Sequence, residues 1–103
     1  MTPEAKVKAK VVATLKANEV YYFYPVMGGY GTSGVPDIVV CCNGRFLAIE
    51  CKAGKNKPTM LQERNMQKIR DSGGIAIVVN EENLNTVQDV LSQLLEIKNG
   101  KHE

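Results

Sequence analysis

The sequence predicts an α/β domain built on a small mixed β-sheet flanked by helices. Three observations carry this. Asn43-Gly44 joins two apolar runs within the stretch Val35–Lys52, and Asn-Gly in that setting is the strongest short-range hairpin signal, because a type I′ turn needs positive φ at both central residues. Ile75–Val79 is a continuous apolar run behind Ser72-Gly73-Gly74, as expected of a strand covered on both faces. The stretches around these runs carry helix-start signals and apolar residues at helical spacing. The order is α, β, hairpin, α, β, α, within a single domain over residues 1–103.

Thr2-Pro3-Glu4 opens the first helix, with Thr as N-cap, Pro at the first helical position and an acid in the first turn. The helix is expected to reach Ala17, with Val7, Val11 and Leu15 as its apolar stripe. Glu4 projects from the core-facing side at the helix start. By itself it is a dipole-stabilising acid or a partner for Lys8 at i+4. Val20–Val26 reads as the first strand, with Tyr22 and Tyr24 on one face and Tyr21 and Phe23 on the other. Met27–Gly34 is a glycine-rich connector without the Gly-Lys-Ser/Thr end of a phosphate-binding loop. Its Tyr30 is a candidate base contact.

The hairpin brings chemistry together. A two-residue turn pairs Cys42 with Arg45, and the same count places Asp37 opposite Glu50 on a non-hydrogen-bonded rung, where side chains are closest. Facing Cβ atoms there are about 4.5–5.5 Å apart. Lys52, two residues on, points to the same face. Facing carboxylates repel, and a divalent cation offsets that; hard cations such as Mg²⁺ favour carboxylate oxygen. Two acids and a lysine around a cation outline metal-assisted phosphodiester hydrolysis. A surface ion cluster, with Lys52 pairing one acid, is the structural alternative. It fits poorly with neighbours such as Ile38, Val39, Leu47 and Ile49, which look buried on both faces.

Pro36-Asp37 followed by Glu50-Cys51-Lys52 resembles the PD…ExK signature of the PD-(D/E)xK nuclease superfamily. Within it, Gly34-Val35-Pro36-Asp37, the thirteen-residue step to Glu50 and the later Gln62 look most like a virus-type replication-repair nuclease (VRR-NUC) domain, over roughly residues 2–80. The archaeal-type Holliday-junction resolvases share the same motif skeleton. The resemblance implies a restriction-endonuclease-like fold and one or two Mg²⁺ or Mn²⁺ ions on Asp37, Glu50 and the backbone carbonyl of Cys51. It also implies a glutamate from the first helix, which Glu4 matches, with Glu19 after Asn18 near the helix end as the other candidate. Lys52 would orient or help deprotonate water, or stabilise charge on the phosphate, and Gln62 would order water or DNA near the metal. The products would carry a 5′-phosphate and a 3′-hydroxyl.

After the signature, Lys55 and Lys57 sit on a short loop placed for phosphate contacts. Thr59-Met60-Leu61-Gln62 reads as a capping box, opening a helix to about Asp71 with Met60, Leu61, Asn65 and Ile69 inward. Gln62 thus has a capping and a functional reading. Arg64, Lys68 and Arg70 extend the basic surface. The last helix is expected from Glu81 to about Lys98. Its apolar set, Leu84 to Ile97, is broader than one packing face needs and suggests self-association.

Composition narrows the function classes. Hydrophobic content of 44% and charged content of 23% are globular values. There is no signal peptide and no apolar run of about 18 residues, so a cytoplasmic protein without a membrane partner is expected; the family resemblance implies a bacterial or phage-encoded one. Three cysteines form neither a disulfide framework nor a zinc pattern, and the one histidine lies at position 102, which argues against a histidine-ligated metal or a His-based triad. Residues 1–80 hold eleven Lys and Arg against six Asp and Glu, and residues 81–103 two against five; a basic body fits nucleic acid. The reading is a metal-dependent, structure-specific DNA endonuclease acting at four-way (Holliday) junctions as a homodimer. The alternatives are a flap or end-processing nuclease, an RNA nuclease, and a non-catalytic DNA-binding module on a nuclease fold.

Overall fold

The computed structural model describes residues 1–26 and 34–97. Three helices and four strands follow the order α1 (Pro3–Ala17), β1 (Tyr21–Phe23), β2 (Ile38–Cys42), β3 (Arg45–Cys51), α2 (Met60–Asp71), β4 (Ile75–Val79) and α3 (Asn85–Glu96). The sheet runs β1-β2-β3-β4. The first three strands are antiparallel, and β4 returns parallel to β3 after the α2 crossover. This is the mixed, helix-flanked α/β sheet expected from the sequence.

The hairpin register is fixed by its turn. Asn43 and Gly44 both have positive φ, 54° and 79°, as a type I′ turn demands. Cys42 therefore pairs with Arg45, and the ladder runs back to Ile38 opposite Ile49. Asn43 has a second task. Its side-chain amide donates to the carbonyls of Leu94 (2.8 Å) and Ile97 (2.6 Å), satisfying acceptors that a helix end leaves open. Asn43→Gly keeps the turn conformation and loses both bonds. It is expected to cost about 1–2 kcal/mol, read by urea denaturation.

Two cores flank the sheet. Val7, Val11 and Leu15 of α1 and Val87, Leu91 and Leu94 of α3 pack on Ile38, Val40, Leu47, Ile49 and Cys51. On the other face, Met66 and Ile69 of α2 cover Ala48 and Ala76. Residues 38–40 and 47–49 are all buried, as alternation between two covered faces requires. No helix among the described residues is long and apolar enough to cross a membrane.

Three boundaries or faces differ from expectation. The first strand stops at Phe23 rather than running to Val26, because its ladder with β2 would next meet Pro25, which has no N–H to give. The last helix starts at Asn85, not Glu81. Ahead of it Asn80 N–H donates to the Asn83 side chain (2.7 Å) and Glu82 N–H to the Asn80 side chain (2.9 Å), local bonds that compete with helix. In α2, Met60 and Leu61 are exposed and Met66 is buried. The inward stripe is Gln62, Met66 and Ile69, and the polar Gln62 at its head conceals the phase from an apolar count. Arg70 is exposed, and its guanidinium also donates to the Ala76 carbonyl at 2.8 Å.

Candidate active site

The sheet places two acids at the open end of the β2–β3 hairpin. The register brings Asp37 and Glu50 face to face one residue beyond the last regular pair, Ile38–Ile49. The next hydrogen-bonded rung would join residues 36 and 51, but Pro36 has no N–H. The Cys51 carbonyl thereby loses its ladder donor. The Cys51 N–H turns instead to Asp37 and donates to Oδ2 at 2.8 Å. The proline beside Asp37 thus ends the sheet where its polar groups become available.

Glu50 is 1% exposed. Its Oε2 accepts from the Gln62 amide at 2.8 Å and lies 3.5 Å from Lys52 Nζ. Its Oε1 is buried with no hydrogen-bond partner among the described residues. Burial, followed by the charge of Asp37, pushes the Glu50 carboxyl up from its ordinary 4.5 to about 7, against the opposing pull of Lys52. A buried carboxylate oxygen without a donor is costly. Two acids with one such oxygen are the donor chemistry that a hard divalent cation takes, so the residues present fit Mg²⁺ or Mn²⁺.

Gln62 caps α2 and reaches Glu50 at the same time. Its Oε1 accepts from the Thr59 N–H (2.8 Å), and the Gln62 N–H is held by the Thr59 hydroxyl (3.2 Å). With the amide oxygen committed to the cap, the NH₂ end is aimed at Glu50. Glutamate would also close a capping box, but it could not donate to a carboxylate.

The other candidates are arranged around this centre. Glu4 lies on the first turn of α1, across a groove of about 410 Å³ that it shares with Ala53, Gly54 and Asn56. It reaches Glu50 only as the weakest contribution to that group's raised pKa. Among the described residues, no three His, Cys, Asp or Glu side chains are grouped closely enough to hold a metal unaided. Lys55 and Lys57 are exposed on the loop that leaves Lys52. Arg64 is exposed on α2, two residues from Gln62, and so on a different side of that helix; it is not brought to the acids. Tyr30 lies outside the described residues. The Cys51 thiol, pushed up to about 12 by burial, is buried in the core and chemically quiet.

Glu81 is a neighbour that sequence reasoning misses. Its carboxylate accepts from the Gly54 N–H at 2.9 Å, which lowers its pKa and anchors the loop carrying Lys55 and Lys57. Parallel pairing of Cys51 with Val79 is what brings 54 and 81 together, and no short-range pattern reports a parallel register.

Comparison with known proteins agrees with this geometry. Residues 24–76, spanning β2, β3 and α2, match the family described as archaeal Holliday junction resolvase (Hjc). "Putative nuclease p44" of Acyrthosiphon pisum secondary endosymbiont phage 1 is 36% identical over 58 residues, covering 55% of this chain. The chain spans 62% of that protein's length in the match. The match contains the whole PD…ExK hairpin and the helix that supplies Gln62, and on it the chain belongs to the archaeal Holliday junction resolvase (Hjc) family, of the PD-(D/E)xK nuclease type.

Proposed function

We propose that the protein is a metal-dependent endonuclease that cuts branched DNA, with the four-way junction as its substrate. The observation that carries the reading is the meeting of Asp37, Glu50 and Lys52 at the end of a hairpin, with Glu50 Oε1 buried and without a donor among the described residues. Membership of a junction-resolvase family and the likeness to a phage protein named as a nuclease support it. The Gly34–Asp37 segment and Gln62 also favour a closer kinship with the VRR-NUC nucleases.

Asp37, Glu50 and the Cys51 carbonyl are the groups to hold Mg²⁺ or Mn²⁺, with Glu4 completing the shell from α1. Such an ion polarises the phosphate and makes water acidic enough to attack at neutral pH. The remaining work belongs to the chain. Lys52, 12% exposed at its side chain, orients the attacking water and balances negative charge growing on the phosphate oxygens. Gln62 keeps Glu50 Oε2 in place by a bond that also caps α2. Lys55 and Lys57 hold flanking phosphates. Two cuts across a junction call for two sites, hence a homodimer. The exposed Leu95 of α3 and Ile97 at its C-terminal cap supply apolar surface for it.

The test is cleavage of labelled four-way junction, flap, duplex and single-stranded DNA with Mg²⁺ or Mn²⁺, alongside Lys52→Ala. Paired incisions near the branch, reduced on the order of 10²-fold or more in the variant, are the expected result. Cutting of flaps or ends alone would move the role to strand processing. Absence of cleavage by folded protein on every substrate would leave a DNA-binding module.

A further inference from the structure

One face of the sheet is covered along its full width by α1 and α3, whereas on the other α2 covers β3 and β4. Among the described residues, the exposed part of that second face, on β1 and at Phe46 of β3, is aromatic. Register arranges it in rows across the strands. Tyr21, Cys41 and Phe46 form the first row, and Phe23, Val39 and Ala48 the second. The third row is Asp37 opposite Glu50, on the same face. Tyr21 is 69% exposed, Phe46 47% and Phe23 46%, and the Tyr21 and Phe23 rings lie 6.3 Å apart.

These rows are two residues, or roughly 6.6 Å, apart along the strands. Val39 and Ala48 are buried, so the exposed track passes through Phe23, one row from Asp37. Phe46 stands four residues before Glu50 on β3, about 13 Å away. Beyond Phe46 the face opens into a depression of about 360 Å³ between this ring and α2, bordered by Lys68 and Asn65. The first two rows hold no charged side chain. Aromatic faces flanked by a cation are the surface on which unstacked bases settle, and paired bases cannot reach it because their faces are already stacked.

We infer that the Tyr21–Phe23–Phe46 face binds unpaired nucleotides next to the bond being cut. This rests on the proposed nuclease reading and sharpens it. The enzyme takes a branch whose strand has opened, and stacks the bases leading away from the scissile phosphate on Phe23 and then on the row of Phe46. Approach of the track to within one row of Asp37, on one face and in one register, is what selects nucleic acid over a second copy of the chain as the occupant.

The test uses the full chain without divalent cation, so that binding is read apart from cleavage. The probes are a forked DNA with unpaired arms, carrying 2-aminopurine at successive positions from the branch, and a blunt duplex of the same length. Fork binding should change the probe's fluorescence at one or two positions only. Phe46→Leu and Tyr21→Ala should each weaken fork binding about tenfold, within the range of base–aromatic stacking, and leave duplex binding unaltered. An abasic nucleotide at the responsive position should weaken wild type equally and add nothing in Phe46→Leu. That arm leaves the protein intact. Equal loss on fork and duplex, or an abasic site without effect, would overturn the proposal. So would sedimentation showing that Tyr21→Ala dissociates a dimer, which would assign the face to self-association. If wild type stacks bases but cleaves nothing, the nuclease reading fails and this face stands.

Discussion

Glu50→Gln is expected to abolish cleavage and at the same time make the metal-free protein more stable. Glutamine keeps the shape of Glu50 and an acceptor for Gln62 and Lys52, but carries no charge. On the proposed metal-dependent reading, loss of an anionic oxygen that would hold the ion should remove several kcal/mol of charge stabilisation, on the order of 10³-fold or more in rate. Stability moves the other way because Glu50 is buried opposite Asp37, with its pKa raised from 4.5 to about 7. A carboxyl with a raised folded pKa binds more protons folded than unfolded between those values, so stability falls as pH rises through that window. Above pH 7 the cost reaches roughly 3 kcal/mol. Wild type should therefore lose stability from pH 5 to pH 8 in EDTA, Glu50→Gln should lose less, and the two should converge below pH 4.5. Denaturation at several pH values reads this. A wild type more stable than the variant at pH 8 would mean that Lys52 and Gln62 fully compensate the buried charge.

Gly34→Ala is expected to be the most destabilising single-methyl change. Gly34 has φ of +83°, and a Cβ there would lie 2.6 Å from the Leu61 carbonyl carbon and 2.8 Å from the Gln62 nitrogen. These are backbone atoms at the head of α2 and have no rotamer by which to retreat. The left-handed conformation costs about 1–2 kcal/mol for a non-glycine residue, and overpacking typically adds 1–3. Together they should lower the melting temperature by about 10 °C or more. The contact also joins the segment leading to Asp37 to the residue that holds Glu50. Cleavage at temperatures where the variant remains folded should fall as well. A variant that melts like wild type would show that this approach is looser than the distances state.

Part of this molecule is legible in short-range sequence. Asn43-Gly44 dictates a two-residue turn, the turn dictates register, and register sets Asp37 opposite Glu50 with Lys52 on their face. Each step is local and geometric. The same holds for Thr2-Pro3 and the Thr59–Gln62 box, whose caps satisfy neighbouring backbone groups and need nothing distant. The α2 face is less legible, since its buried stripe begins with Gln62, whose burial is offset by one bond to Glu50 and one to Thr59. An apolar count therefore favours Met60 and Leu61, which lie exposed.

By itself the sequence determined the α/β order, the hairpin and its register, because those follow from backbone stereochemistry and alternation within a few residues. Only the tertiary structure decided that Gln62, while capping α2, donates to Glu50, that Glu81 anchors the Gly54 loop, that Gly34 is pressed against α2, and that an exposed aromatic face lies beside Asp37. Each of these joins segments separated by a crossover, where pairing depends on how helices and sheet close around shared volume and not on any local pattern.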